Sequence, residues 1–224
     1  MKVIWLGQAG LLIETNNTKI MVDPYLSDSV KKINPLNYRR VAVDEDFFKI
    51  RPDIIVLTHD HLDHTDPETL EKYLKKYSGI TVLASKKAWN TARAFGGGHN
   101  YVMFDRHTEW TENNIRFTAV KAKHSDDFAI GVIIDDGYKK YYITGDTLYN
   151  EDIFNDIPNG IDALFLPING VGNNMNFADA ARFAERIGAK AAVPLHFGMF
   201  DGIDPTEFKC KNMIVPEIYK EIKL

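Results

Sequence analysis

The nine residues from Thr58 to Asp66, THDHLDHTD, hold three of the seven histidines in the chain. His59 and His61 stand two apart, so in extended backbone their imidazoles fall on one side and converge on one point. Asp63 and His64 follow, redirected by a turn toward an adjacent point. Donors so arranged suit two cations sharing a water better than one closed structural site. Zinc and manganese are the expected ions, with iron a further option, because imidazole and carboxylate suit all three. Asp60 is a candidate acceptor that fixes an imidazole tautomer.

A two-cation site needs more donors than one loop supplies. Three later stretches offer them at the ends of apolar runs: His124 in VKAKHSD, Asp146 in YYITGDTLY and His196 in AVPLHFG. Taken singly, each reads as a loop, turn or core residue; their joint occurrence with the first run makes them candidate ligands. His99 and His107 fit no ligand position, although His99 beside the GGG run at 96–98 suits a lid.

The elements that must position these groups show in the hydrophobic pattern. Ten short β-rich runs are predicted strands: KVIWL, LLIET, KIMVD, IIVLT, ITVLA, IRFTAV, FAIGVIID, KYYIT, DALFLPI and KAAVPL. DPETLEKYLKKY predicts a helix with Asp66 as cap, Pro67 in its first turn, and Leu70, Tyr73, Leu74 and Tyr77 at helical spacing. NFADAARFAERIG predicts another, capped by Asn176, stopped by Gly188, with Phe177, Ala180, Ala181, Ala184 and Ile187 on one face. SKKAWNTARAF reads as a third, and Asp136-Gly137 as a hairpin turn. Strands interleaved with helices and no dividing linker predict one mixed α/β domain over 1–224, with two sheets covered by helices.

Composition narrows the function. A net charge of −4 from 27 basic and 31 acidic residues leaves no basic stripe, so no nucleic-acid partner is expected. The one cysteine, Cys210, excludes an internal disulfide framework and fits a reducing compartment. The apolar run from Val3 to Leu6 is short of a signal-peptide core, and no window matches a membrane span. A cytoplasmic protein with no membrane partner is the expectation, and a homo-oligomer is compatible with it.

The run H-x-H-x-D-H at His59 to His64, followed by His124, Asp146 and His196, resembles the signature of the metallo-β-lactamase superfamily. IETNNTKIMVDPYL, LTHDHLDHTD, YYITGDTLY, LPINGVGNNMNFADAARFAERIGAKAAVPLHFGMF and DPTEF are further similar to its L-ascorbate-6-phosphate lactonase (UlaG-like) branch. The resemblance implies an αββα sandwich of two mixed sheets flanked by helices, with the metal site on loops along one edge. It implies His59, His61 and His124 around a first cation, Asp63, His64 and His196 around a second, and Asp146 bridging them. Asp23, in VDP, corresponds to a recurrent aspartate that orients the histidine loop.

The implied reaction is hydrolysis by a hydroxide bridging the two metals, with Asp63 and Asp146 as its carboxylates. A net positive site points to a small anionic substrate, the lactone of a phosphorylated sugar acid. Asn169, at the start of the NGVGNNMN loop, is the candidate substrate contact, and the basic run VKKINPLNYRR could reach a phosphate. The short VG after PING departs from the longer insertion expected in lactonases. A phosphodiesterase or nuclease on the same scaffold and a non-catalytic metal-binding sensor domain stand as alternatives.

Overall fold

The computed structural model describes residues 1–224. From the amino end, β1 (Lys2–Gly7), β2 (Gly10–Thr15) and β3 (Thr18–Val22) form an antiparallel meander. The short helix α1 (Ser29–Ile33) leads toward β4 (Ile54–Leu57), which α2 (Pro67–Lys76) connects to β5 (Thr81–Ala84). Helix α3 (Lys86–Arg93) then leads to β6 (Asn100–Met103), and β3 through β6 lie parallel. A second meander follows in β7 (Glu109–Glu112), β8 (Ile115–Lys121), β9 (Ile130–Asp135) and β10 (Lys140–Ile143). Strand β11 (Ala163–Pro167), helix α4 (Phe177–Ile187) and β12 (Ala191–Leu195) add two parallel strands. Last comes β13 (Glu221–Ile222), which crosses back to pair with β1.

The two sheets are ordered β13-β1-β2-β3-β4-β5-β6 and β12-β11-β10-β9-β8-β7. Side-chain alternation decides how they stack. Leu11, Ile13, Ile54 and Val56 join the 40-residue core between the sheets, while Leu12, Ile55 and Leu57 face outward to Leu70, Tyr73 and Ala88 of α2 and α3. On the other side Ala180, Phe183 and Ala184 of α4 cover the second sheet. The layers are therefore helix, sheet, sheet, helix, the mixed α/β sandwich anticipated. Buried on both faces, β4 reads as an unbroken IIVL instead of an alternating strand. Pro194 is tolerated within β12 because that strand is the edge of its sheet.

All ten anticipated strands form, and β6, β7 and β13 are additional. Strands β6 and β7 are only partly buried and β13 spans two residues, so none makes a clear apolar run. The Asp66 carboxylate caps α2 by accepting from the Glu68 and Thr69 amides, and Asn176 caps α4 by accepting from Asp179. Gly188 ends α4 at a φ of +64°, where a side chain would be strained. On α4 the largest fully buried side chain is Phe183, which the predicted stripe omitted; it packs against Tyr142, Tyr149 and Phe154. No helix is long and apolar enough to cross a membrane.

Phe183→Ala leaves a cavity between α4 and the second sheet and should cost about 3–5 kcal/mol in urea unfolding. Ile33→Ala, at a side chain 78% exposed, should change stability by about 0.5 kcal/mol or less.

Candidate metal centre

The first anchor is Asp23, immediately after β3, fully buried and held at a φ of +43°. Its Oδ1 accepts from the Thr58 amide at 2.8 Å, and its Oδ2 accepts from the Thr58 hydroxyl at 2.6 Å. The same Oδ2 lies 2.8 Å from His64 Nδ1, which fixes that ring with Nε2 turned inward. The strand end of β4 thus stays extended through Thr58, and His59 follows it into the interior. A turn then forms as the amides of His64 and Thr65 donate to the His61 carbonyl at 3.0 and 2.8 Å. This turn redirects Asp63 and His64 relative to His61, while the His64 ring stays against His59 with centroids 4.0 Å apart.

The remaining groups arrive at the ends of strands in the second sheet. His124 lies beyond β8, and its Nδ1 sits 3.2 Å from the Asn173 carbonyl, leaving Nε2 to face His61 Nδ1 at 3.1 Å. Asp146 follows β10 through Gly145, whose φ of +59° and close approach to the Ile130 carbonyl admit no side chain. His196 follows β12 at a φ of +61°, its amide donating to the Gln8 carbonyl at 3.0 Å. Asp23 and His196 are thus among several left-handed non-glycine residues around one site, backbone strain of a kind that clusters at functional positions.

All seven anticipated ligand residues come together. The donors of His59, His61, His124 and Asp146 form one group, those of Asp63, His64 and His196 another, each within 4.8 Å. Asp146 stands between them, Oδ1 at 3.3 Å from His64 Nε2 and Oδ2 at 3.2 Å from His196 Nε2 and 3.9 Å from His124 Nε2. His59 Nε2, His64 Nε2 and Asp146 Oδ1 are buried with no hydrogen-bond partner, three of the seven such side-chain atoms in the molecule. An unpartnered buried polar atom costs about 1–3 kcal/mol, so three converging on one spot fit an ion that satisfies them together. The donor set of imidazoles and carboxylates is that of zinc, manganese or iron.

The electrostatics point the same way. Burial and the neighbouring His64 push His59 well below its ordinary range. Burial would lower His64 too, but Asp146, Asp23 and Asp63 outweigh it and hold that imidazole well above its usual value. His196 is raised to about 10 against its own burial, chiefly by Asp146 and Asp63. Burial would raise both carboxyls, yet facing imidazoles, His64 and His196, hold Asp63 and Asp146 well below the carboxylate range. The cleft is thus a buried field that favours positive charge between its carboxylates.

Two carboxamides absent from the sequence expectations position this cluster. Gln8, in the Gly7 to Gly10 turn, donates from Nε2 to Asp63 Oδ2 at 2.8 Å and lies 3.1 Å from the His196 ring nitrogens. Asn174, 4% exposed, donates to Asp146 Oδ2 at 2.9 Å while accepting from the Thr147 amide at 3.0 Å. A polar residue in the GQAG turn was the available clue for Gln8. The NGVGNNMN loop, expected to offer a substrate contact, also clamps Asp146 through Asn174 and His124 through the Asn173 carbonyl.

Two expectations need correction. Asp60 touches no imidazole; its Oδ1 accepts from Thr91 at 2.8 Å, tethering the histidine loop to α3. His99 is no lid: Nδ1 accepts from the Ile80 amide at 3.3 Å and Nε2 faces the Leu74 carbonyl at 2.9 Å, closing the end of α2. His107, expected to fit no ligand position, pairs with Asp156 at 3.3 Å on the surface. An open pocket of about 490 Å³ reaches the cluster at His61, Asp63, Asp146 and His196, with Asn169 in its wall. The anionic substrate anticipated from net site charge meets no Lys or Arg in that wall, because the basic loop at 31–40 spends its charges elsewhere. Lys32 pairs with Glu68 at 2.5 Å, and Arg39 donates to the Tyr25 and Val41 carbonyls.

Comparison with known proteins agrees with this geometry. A family model described as a beta-lactamase superfamily domain matches residues 18–197. A UPF0173 protein of Pyrococcus furiosus is 31% identical over 211 residues, covering 93% of this chain and 89% of its own. A UPF0173 metal-dependent hydrolase of Staphylococcus aureus is 31% identical over 233 residues, covering 93% and 92%. The solved structure of a possible metal-dependent hydrolase from Veillonella parvula shares the fold, with a TM-score of 0.79 at 18% identity over 100% of this chain and 99% of that one. With a matching family model over most of its length and relatives that span nearly all of it, the chain belongs to the metallo-β-lactamase superfamily and to its UPF0173 metal-dependent hydrolases.

Proposed function

We propose that this protein hydrolyses an ester bond, in its simplest form a lactone, in a small polar substrate, using two divalent cations. The observation that carries the reading is the convergence of buried, unpartnered donor atoms beside an open pocket. His59, His61 and His124 would hold one cation, Asp63, His64 and His196 the other, with Asp146 shared. Zinc or manganese suits these donors, and iron is compatible with them. Bound there, such ions supply Lewis acidity and lower the pKa of a coordinated water toward ~7.

The chain's own groups set the rest of the reaction. In the overall step the oxygen of water bonds to the acyl carbon and the ester C–O bond breaks. One proton passes to the departing oxygen, and the other is lost as the new carboxylic acid ionises. Asp63, whose carboxylate reaches the pocket wall, is kept ionised by the imidazoles that depress it, the form that would hold a cation. Gln8 pins its Oδ2, so Oδ1 is the oxygen left to orient water. Asp23 and Asn174 act through others, fixing His64 and Asp146. The resemblance of the chain's sequence motifs to ascorbate-phosphate lactonases favours acyl chemistry, and a phosphodiester substrate would find no cationic side chain in the wall. An open mouth at the cluster favours turnover over a closed sensor site.

Metal-loaded protein should release acid from a lactone panel, with His61→Ala at least 100-fold slower and holding fewer cations by metal analysis. Equal turnover by chelator-treated protein overturns the reading. Zinc at about a thousand times its Kd should stabilise the fold by about 4 kcal/mol in thermal unfolding, and a chelator should remove that gain. Asn174→Ala should weaken cation binding by about 10- to 100-fold in competition with a chromophoric chelator, with unfolding still cooperative.

A further inference from the structure

The pocket wall away from the cluster is rich in carboxamides. Asn169 Oδ1 is buried without a hydrogen-bond partner, and Asn37 and Asn173 line the same pocket with side chains that no other polar group of the chain engages. A carboxamide offers a donor and an acceptor together, the pattern a hydroxyl matches, and this holds whichever way each amide is turned. Val30, Val171 and Phe200 add an apolar wall suited to a carbon skeleton.

Charge in the same wall is negative. Asp201 contributes a carboxylate, held by the amides of Gly198 at 2.7 Å and Ile203 at 3.0 Å. The nearby cations are otherwise engaged: Lys31 is 3.8 Å from Asp28, and the Arg40 guanidinium lies over the Tyr38 ring at 5.5 Å. A phosphate on the distal part of a substrate would be desolvated beside Asp201 with no fork of N–H donors to receive it.

We infer that the substrate is an uncharged, hydroxyl-bearing acyl compound whose hydroxyls are read by Asn37, Asn169 and Asn173; this rests on the hydrolase reading above. The site's positive charge serves the reacting carbonyl, and recognition of the remainder is left to neutral amides. Each amide-to-hydroxyl hydrogen bond is worth about three- to tenfold in affinity.

The test compares D-glucono-1,5-lactone with its 6-phosphate on metal-loaded protein, followed by acid release. The uncharged lactone should show a kcat/KM at least about tenfold higher. Asn169→Ala and Asn37→Ala should each lower the ratio of kcat/KM for gluconolactone to that for δ-valerolactone by about three- to tenfold. Preference for the phosphorylated lactone, or an unchanged ratio in both variants, overturns the inference. Should neither lactone be cleaved, the hydrolase reading fails, and calorimetry with D-glucono-δ-lactam and its 6-phosphate still decides recognition. Tighter binding of the uncharged lactam supports it; tighter binding of the phosphorylated lactam, or binding of neither, overturns it.

Discussion

The buried carboxylate of Asp23 is the constraint from which the site is built. It joins the end of β3 to the end of β4 through both Thr58 donors, and it also receives the His64 ring. A charge this deep is tolerated because three donors surround it, and each of those donors is thereby fixed. Its left-handed backbone is the local cost of aiming one carboxylate at two strands at once. Without that anchor, the turn that leads from His61 to Asp63 and His64 would have no fixed origin.

The sandwich supplies the rest by bringing strand ends to one edge. In the first sheet β3 and β4 run parallel, so Asp23 and His59 emerge together. In the second, β10, β11 and β12 run parallel, so Asp146 and His196 emerge together and face the first pair across the sheets. Neither half holds a complete donor set, and the packed core between the sheets fixes their separation. The β11 to α4 loop closes the arrangement, with Asn174 on Asp146 and the Asn173 carbonyl on His124.

The charges divide the pocket between chemistry and recognition. The inner end gathers carboxylates and imidazoles whose shifted proton affinities mark a demand for cations. The outer wall carries amides, one further carboxylate and apolar side chains. Basic residues that looked available along 31–40 fold back onto Asp28, Glu68 and the carbonyls around Tyr25, where they hold their own loop.

The sequence by itself determined the donors, the ten main strands and the three main helices, because period, caps and a dense histidine spacing are local signals. His59, His61, Asp63 and His64 were legible within nine residues, and His124, Asp146 and His196 as polar residues at the ends of apolar runs. Only the tertiary structure decided which carboxamides matter and which polar groups do not. Gln8 and Asn174 meet their partners 55 and 28 residues away. Asp60 turned to Thr91 on α3 instead of an imidazole, and His99 to the end of α2. The sheet-edge strands β6 and β7 and the short β13 also escaped, since their pairing is set by a neighbouring strand more than by their own hydrophobicity. The reason is common to all of these: a side chain's type is written in the chain, but its partner is chosen by what the packed sheets place within 3 Å of it.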